Sequence, residues 1–154
     1  MKNKIKFLLV LISLFFYQSQ IFAQLPDYSG TWVLNNEKSK LQSRPDGMTS
    51  SVFIIEQVKD NFSLTIHHVF SNQQDTIVIK MLSDGKTRKV LDVLEGKLER
   101  REDGLHITLW KKDFLDKVTY KFGKDKNEFI ADEVLVSDSD NHHNIWIFDR
   151  DVSK

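Results

Sequence analysis

The sequence predicts an all-β protein whose single domain is an antiparallel up-and-down β-barrel of about 8–10 strands. Short runs rich in Val, Ile and Phe recur along the 154-residue chain, with turn residues between nearly all neighbours. Tight turns make consecutive strands antiparallel neighbours in one sheet. A long sheet of this kind twists until it closes or splits, and closure removes its exposed edges. No segment keeps the helical period that would predict a helix.

The first residues have the composition of a secretory signal peptide. Three lysines among the first six residues precede an apolar run at 7–17, and Ala23 supplies the small residue for cleavage. The run is shorter than the roughly 20 residues that a spanning helix needs, so we predict no stable membrane anchor. We therefore divide the chain into a signal peptide at 1–23 and a single β-barrel domain at 24–154, exported to the periplasm or secreted.

The composition argues against several kinds of function. The chain balances 22 Lys and Arg against 22 Asp and Glu. A balance this even gives no electrostatic basis for binding nucleic acid or an acidic membrane surface. There is no cysteine, so no disulfide can form and burial and hydrogen bonding must hold the domain together.

We predict ten strands, each bounded by polar or glycine-containing turns. They cover residues 30–35, 51–58, 62–70, 76–82, 88–94, 97–102, 105–112, 117–122, 128–137 and 144–150.

Two Asp-Gly pairs, Asp84-Gly85 and Asp103-Gly104, are typical of tight hairpin turns. A third turn is predicted at Glu95-Gly96. The one long connection, at 36–48, is polar and has room for a short helical turn at 37–41. A β-sandwich is the alternative fold, but sandwiches usually need more than one long crossover, so the barrel is favoured.

A Gly-x-Trp pair opens the first strand. Gly30 permits a sharp turn or the close approach of another backbone, and Trp32 places a large apolar ring on one face. Because the first and last strands are neighbours in an up-and-down barrel, Arg150 can stack on this ring, a contact worth about 0.5–2 kcal/mol. Spacing alone leaves open that Arg150 is instead a solvated residue at the chain end.

Residues 28–35, which read Tyr-Ser-Gly-Thr-Trp-Val-Leu-Asn, and the Glu-Lys-Ser-Lys-Leu segment at 37–41 resemble the opening of lipocalin-like proteins of the calycin superfamily, especially small secreted bacterial members. The resemblance implies that a Gly-x-Trp on the first strand meets an arginine on the last and closes one end of the barrel. Gly30 and Trp32 match directly, and Arg150 matches by position. The chain departs from typical lipocalins because it lacks a Thr-Asp-Tyr-type motif in a mid-barrel loop and a recognisable helix before the last strand.

Five residues are candidates for binding a ligand inside the barrel. His68, Asp92 and Glu133 stand among apolar neighbours within predicted strands. A polar group inside a small barrel binds the polar part of a ligand or bonds to another side chain. The rings of Trp146 and Phe148 on the last strand complete the set. For the polar members, an outward position is the alternative, since strand faces cannot be assigned where both are apolar.

The sequence shows no recognisable metal site or catalytic motif. His67 and His68 are adjacent in a strand and therefore face opposite sides. His142 and His143 lie in a predicted loop beside two aspartates, without a diagnostic ligand spacing. There is no Gly-x-Ser-x-Gly motif, cysteine nucleophile or phosphate loop. We predict no metal, no cofactor and no enzymatic activity.

Together these expectations describe a secreted or periplasmic, non-enzymatic, lipocalin-like barrel that binds a small apolar ligand. A barrel of this strand number holds a small ligand rather than a channel. The alternative is a filled barrel that serves as a structural or protein-interaction module of the cell envelope. An enzyme that reuses the barrel is a third hypothesis, because a fold does not fix a function. A cavity would favour the first hypothesis and a packed interior the second.

The signal peptide can be tested directly on the exported protein. N-terminal sequencing should begin at Gln24, because cleavage is expected after the small residue Ala23. An exported protein that still carries residues 7–16 would contradict cleavage and indicate an anchor.

Overall fold

The computed structural model describes residues 26–152, and these form ten antiparallel strands in one sheet. The strands are β1 (Gly30–Leu34), β2 (Met48–Val58), β3 (Asn61–Phe70), β4 (Gln74–Leu82), β5 (Arg88–Val90), β6 (Leu94–Arg101), β7 (Gly104–Lys111), β8 (Phe114–Phe122), β9 (Glu128–Ser137) and β10 (Asn141–Arg150). Their order in the sheet is β4-β3-β2-β1-β10-β9-β8-β7-β6-β5. The predicted up-and-down barrel is therefore confirmed, and it is nearly closed. The predicted signal peptide lies outside the described residues.

Side chains alternate between the barrel interior and the surface, as the pleat of a strand requires. The interior is unevenly filled, because one half is packed with aromatic rings whose centroids lie 4.3–6.5 Å apart. This aromatic floor consists of Tyr28, Trp32, Phe53, Phe122, Phe129 and Phe148. The floor gives the domain its core without a disulfide.

The contact that closes this end of the barrel joins the two ends of the described chain. Trp32 on β1 lies opposite Arg150 on β10, and the guanidinium carbon is 4.2 Å from the centroid of the fully buried indole. Arg150 Nη1 also donates to the carbonyl oxygen of Ser29 at 3.2 Å. Gly30 leaves the space for it, because a Cβ at this position would lie 2.6 Å from Arg150 Nη1. The structure therefore brings Gly30, Trp32 and Arg150 together in the arrangement that the resemblance implies.

The barrel has one seam, between β4 and β5, where the described strands share no ladder of hydrogen bonds. Gly85 has the positive φ of 72° typical of a turn, but the strands on either side do not pair, so the prediction of a hairpin at Asp84-Gly85 is wrong. The Gly85 amide instead donates to the Leu98 carbonyl on β6 at 3.0 Å. Arg100 bridges the same seam through a 2.6 Å bond from its Nε to Ser83 Oγ.

The predicted turn at Glu95-Gly96 is also wrong, because Gly96 lies buried within β6. A Cβ there would meet Leu109 at 2.7 Å and Val90 at 2.9 Å, so this glycine serves close packing rather than a turn. The turn falls earlier, at residues 91–93, and shortens β5 to Arg88–Val90. The predicted hairpin between β6 and β7 is confirmed, but its turn residues are Glu102 and Asp103, and Gly104 is the first residue of β7.

The long connection between β1 and β2 forms no helix. It contains a turn in which the Ser39 amide donates to the Asn35 carbonyl at 3.1 Å, at the place where a helical turn was expected, and a second turn just before β2, where the Met48 amide donates to the Pro45 carbonyl at 3.1 Å. Lys40 then forms an isolated bridge with Ile145 on β10. Within residues 26–152, no helix is long and apolar enough to cross a membrane.

A double-mutant cycle tests the closing contact. Trp32→Ala should lower the free energy of unfolding by about 3–5 kcal/mol, the usual cost of removing a large buried ring. Arg150→Ala should cost about 1–2 kcal/mol through lost stacking and lost cover of the ring. Because the two residues touch, the double variant should cost less than the sum, as measured by urea unfolding. Trp110→Ala, on the outward face of β7, is the matched control and should cost only about 1 kcal/mol. Additive effects at Trp32 and Arg150 would contradict the coupling.

Candidate functional site

The half of the barrel above the aromatic floor encloses a cavity of about 590 Å³. Its walls are mainly apolar, and they include Ile66, Ile79, Ile107, Leu109 and Val118. Arg44, Pro45 and Asp46 from the long connection also line it and are exposed, so they mark its solvent side. A volume of this size falls within the range of small-molecule sites, about 300–1,000 Å³.

A cluster of polar side chains lies on one wall of the cavity, where β8, β9 and β10 are adjacent. Glu133 on β9 stands directly opposite Asn144 on β10. Glu133 Oε2 accepts hydrogen bonds from Asn144 Nδ2 at 2.8 Å and from Trp146 Nε1 at 2.7 Å. Two donors hold one carboxylate oxygen, so the position of this group is fixed before any ligand arrives.

Asn144 also attaches the long connection to this cluster. Its Oδ1 accepts from the amides of Gln42 at 2.8 Å and Ser43 at 3.2 Å, and its Nδ2 donates to the Ser43 carbonyl at 2.8 Å. The residue is only 1% exposed. A buried amide with every partner supplied by the protein rigidifies the rim of the cavity.

His142 lies between two carboxylates at the same end of β10. Its Nδ1 is 3.0 Å from Asp140 Oδ2, and its Nε2 is 3.5 Å from Glu133 Oε2. The sequence placed His142 in a loop, but β10 begins at Asn141, and the alternation that points Trp146 inward points His142 inward as well.

Asp116 on β8 is the least satisfied polar group of the cluster. Its Oδ1 atom is buried and has no hydrogen-bond partner among the described residues. Burial raises the pKa of the Asp116 carboxyl to about 7, and the negative charge of Glu133 acts in the same direction, while His142 opposes the rise. The strand register explains why Asp116 lies near Glu133. Val118 pairs with Glu133, and Asp116 is the preceding inward position on β8.

Two further titratable residues face the cavity. Burial lowers the pKa of His68, against the negative charges of Asp75 and Glu133, and Ser51 Oγ lies 3.2 Å from its Nδ1. Burial also raises the pKa of Tyr120, with Asp116 and Glu133 acting in the same direction. Burial therefore disfavours the charged form of each residue, which is the imidazolium of His68 and the phenolate of Tyr120.

Of the five residues predicted to bind a ligand, His68, Glu133 and Trp146 line the cavity. Their contact with a ligand stays a prediction. Two positions are corrected. Phe148 is fully buried in the aromatic floor, 4.3 Å from the Phe53 ring, and does not line the cavity. Asp92 is exposed in the turn between β5 and β6 with φ of 58°, because β5 ends at Val90.

Asp116, Asn144 and His142 line the cavity but are not among the five residues that the sequence predicts to bind a ligand. Strand side chains alternate, so Asn144 and His142 share the face of Trp146 on β10. They could have been identified from the sequence if the inward face of β10 had been known. Asp116 was read as part of a loop, because β8 was predicted to begin only at 117, whereas it begins at Phe114. No group of three or more His, Asp or Glu side chains within residues 26–152 is arranged to hold a metal ion.

Comparison with known proteins gives the fold and no more. No family model matches the chain, and no curated protein matches it. Among solved structures, it is similar to zebrafish ileal bile acid-binding protein complexed with cholic acid. That similarity covers 80% of this chain and 98% of the other, with 11% identity and a TM-score of 0.51. The protein thus has a calycin-like barrel fold.

The raised pKa of Asp116 predicts how stability depends on pH. The folded state holds the proton up to about pH 7, whereas the unfolded chain releases it near the ordinary value of 3.8. The folded state therefore loses stability at this position as pH rises between these values. The Asp116→Asn variant has no carboxyl to ionise at this position and so does not lose this stability. The free energy of unfolding of the variant, relative to that of the wild type, should therefore rise by up to about 4 kcal/mol between about pH 4 and pH 8.

Urea unfolding at several pH values measures this difference. Asp92→Asn makes the same chemical change in an exposed turn and is the control. Its stability relative to the wild type should not change with pH in this way. A constant difference for Asp116→Asn as well would mean that the carboxyl titrates as in the unfolded chain.

Proposed function

We propose that this protein binds a small, largely apolar ligand inside the barrel and does so without catalysis. The observation that carries the proposal is the cavity of about 590 Å³, with apolar walls and a polar cluster on one side. Small-molecule sites share this construction, because apolar walls supply affinity and a few fixed polar groups orient the ligand. The similarity to a bile acid-binding barrel supports the proposal by analogy of fold.

The alternative, a filled barrel that acts as a module of the cell envelope, fits the interior less well. A filled barrel packs its interior to the density of a crystal and leaves few voids larger than a water molecule. Only the half around Trp32 and Phe129 is packed in this way. Above it, small side chains such as Ala131 leave the space that defines the cavity.

The proposed setting is the periplasm or the extracellular medium. Its support is the basic start, the apolar run at 7–17 and the small residue at Ala23. A barrel in this setting would take up a ligand from outside the cytoplasm.

A neutral fluorescent probe tests whether the cavity accepts an apolar molecule. N-phenyl-naphthylamine should bind the wild type with increased emission, because the cavity is apolar. Ile66→Trp should reduce this binding about tenfold or more by filling the cavity from β3. Val69→Trp adds the same ring to the outward face of that strand and should bind as the wild type does.

Native mass spectrometry of protein purified from its own host provides the second readout. A retained small molecule should accompany the wild type and Val69→Trp and be reduced in Ile66→Trp. No probe binding and no retained molecule would contradict the proposal. Equal binding by Ile66→Trp would place the ligand outside the cavity.

A further inference from the structure

The cavity presents more acidic groups to a ligand than permanently basic ones. Four carboxyl groups line it, those of Asp46, Asp116, Glu133 and Asp140. Arg44 is the one Lys or Arg among its described lining residues, and two histidines, His68 and His142, line it as well. Arg44 is exposed on the rim, where its Nη1 lies 3.4 Å from Asn36 Oδ1. Without a buried Lys or Arg among these residues, an anionic ligand would have no permanently charged partner inside the barrel.

The hydrogen-bond donors of the cluster already have partners within the protein. Asn144 Nδ2 donates to Glu133 and Ser43, and Trp146 Nε1 donates to Glu133. The unmatched atom is the buried Oδ1 of Asp116, which is an acceptor when the carboxyl is ionised, as it is above about pH 7. A ligand that satisfies this wall must therefore bring a donor.

We propose that the polar group of the ligand is a protonated amine, so that the barrel takes a small cationic amphiphile whose ammonium group lies between Asp116 and Glu133 while its apolar body fills the cavity. This inference rests on the proposed function, because it assigns the chemistry of a ligand to the same cavity.

The electrostatics of the wall agree with a cation. Burial and Glu133 together raise the pKa of the Asp116 carboxyl to about 7, so the site disfavours a second negative charge. A bound ammonium would favour the ionised form of Asp116 and supply a charged donor to this carboxylate. A bound carboxylate would instead add a third negative charge to a partly desolvated site, where like charges repel strongly.

Three ligands of equal chain length separate the possibilities. Isothermal titration calorimetry at about pH 8, where an alkylamine is still protonated, compares decylamine, decanol and decanoate below their micelle concentrations. Decylamine should bind at least about tenfold more tightly than decanol, and decanoate should bind most weakly.

Two variants localise the effect to the wall. Asp116→Asn and Glu133→Gln should each weaken decylamine binding about tenfold and change decanol binding less than about twofold. Asp92→Asn and Glu102→Gln make the same chemical changes at exposed turn positions and should leave both affinities unchanged. Thermal unfolding checks that each variant is folded. If Glu133→Gln does not fold, Asp116→Asn decides the question alone.

Other outcomes overturn the inference in distinguishable ways. Decanoate binding as tightly as decylamine, with loss of that binding in Arg44→Gln, would assign the rim arginine to an anionic ligand. Decanol binding as tightly as decylamine would show that charge is not recognised. In both cases the cavity still binds an amphiphile and the proposed function stands. Binding of N-phenyl-naphthylamine but none of the three ligands would overturn the inference alone, whereas failure of all four would overturn the proposed function too.

Discussion

The ladder between β1 and β10 is the constraint on which the rest of the structure depends. Every other ladder among the described strands joins neighbours in sequence, whereas this one joins the two ends of the domain. Because β4 and β5 share no ladder, it is also what unites β1–β4 and β5–β10 into one sheet. It also fixes the register of β10, because Trp32 stands opposite Arg150. A slip of one residue would turn Asn144 and Trp146 to the surface and bring Ile145 inside, since strand side chains alternate. The polar wall of the cavity therefore depends on an arginine and an indole at the other end of the molecule.

The packed core and the cavity are divided between the two halves of the interior. The aromatic floor buries large rings against one another and contributes hydrophobic stabilisation. The other half carries a polar network in which Glu133 and Asn144 are well satisfied and Asp116 is not. An incompletely satisfied buried group lowers stability, and natural proteins keep such groups mainly at functional sites. The floor allows the cavity to be hollow and charged without loss of the fold.

The sequence was sufficient for the barrel and insufficient for its lining. Alternation and turn chemistry are local, so the strands and their antiparallel order could be predicted from short windows.

Glycine was the main source of error, because Gly96 permits close packing against Val90 and Leu109, while the same residue type elsewhere permits a turn. To predict which residues line the cavity, one must know where each strand begins and which of its faces points inward. The predicted starts of β8 and β10 lie three residues after the observed ones, so Asp116 and His142 were assigned to loops and not to inward strand positions. The register between two paired strands depends on both strands, so it cannot be predicted from any one short segment of the sequence.

The seam between β4 and β5 allows the barrel to open locally at a rate different from that of global unfolding. In a fully closed barrel, any opening would have to break a ladder. Opening a ladder exposes a row of main-chain groups, whereas widening the seam breaks contacts such as that of Arg100 with Ser83 and leaves the nine ladders intact. The first five residues of β4, at 74–78, are already exposed, and Ile79 beyond them lines the cavity. Local opening there requires less free energy than global unfolding. The residence time of a bound molecule would then be set by movement of this edge, independently of how long the folded state itself survives.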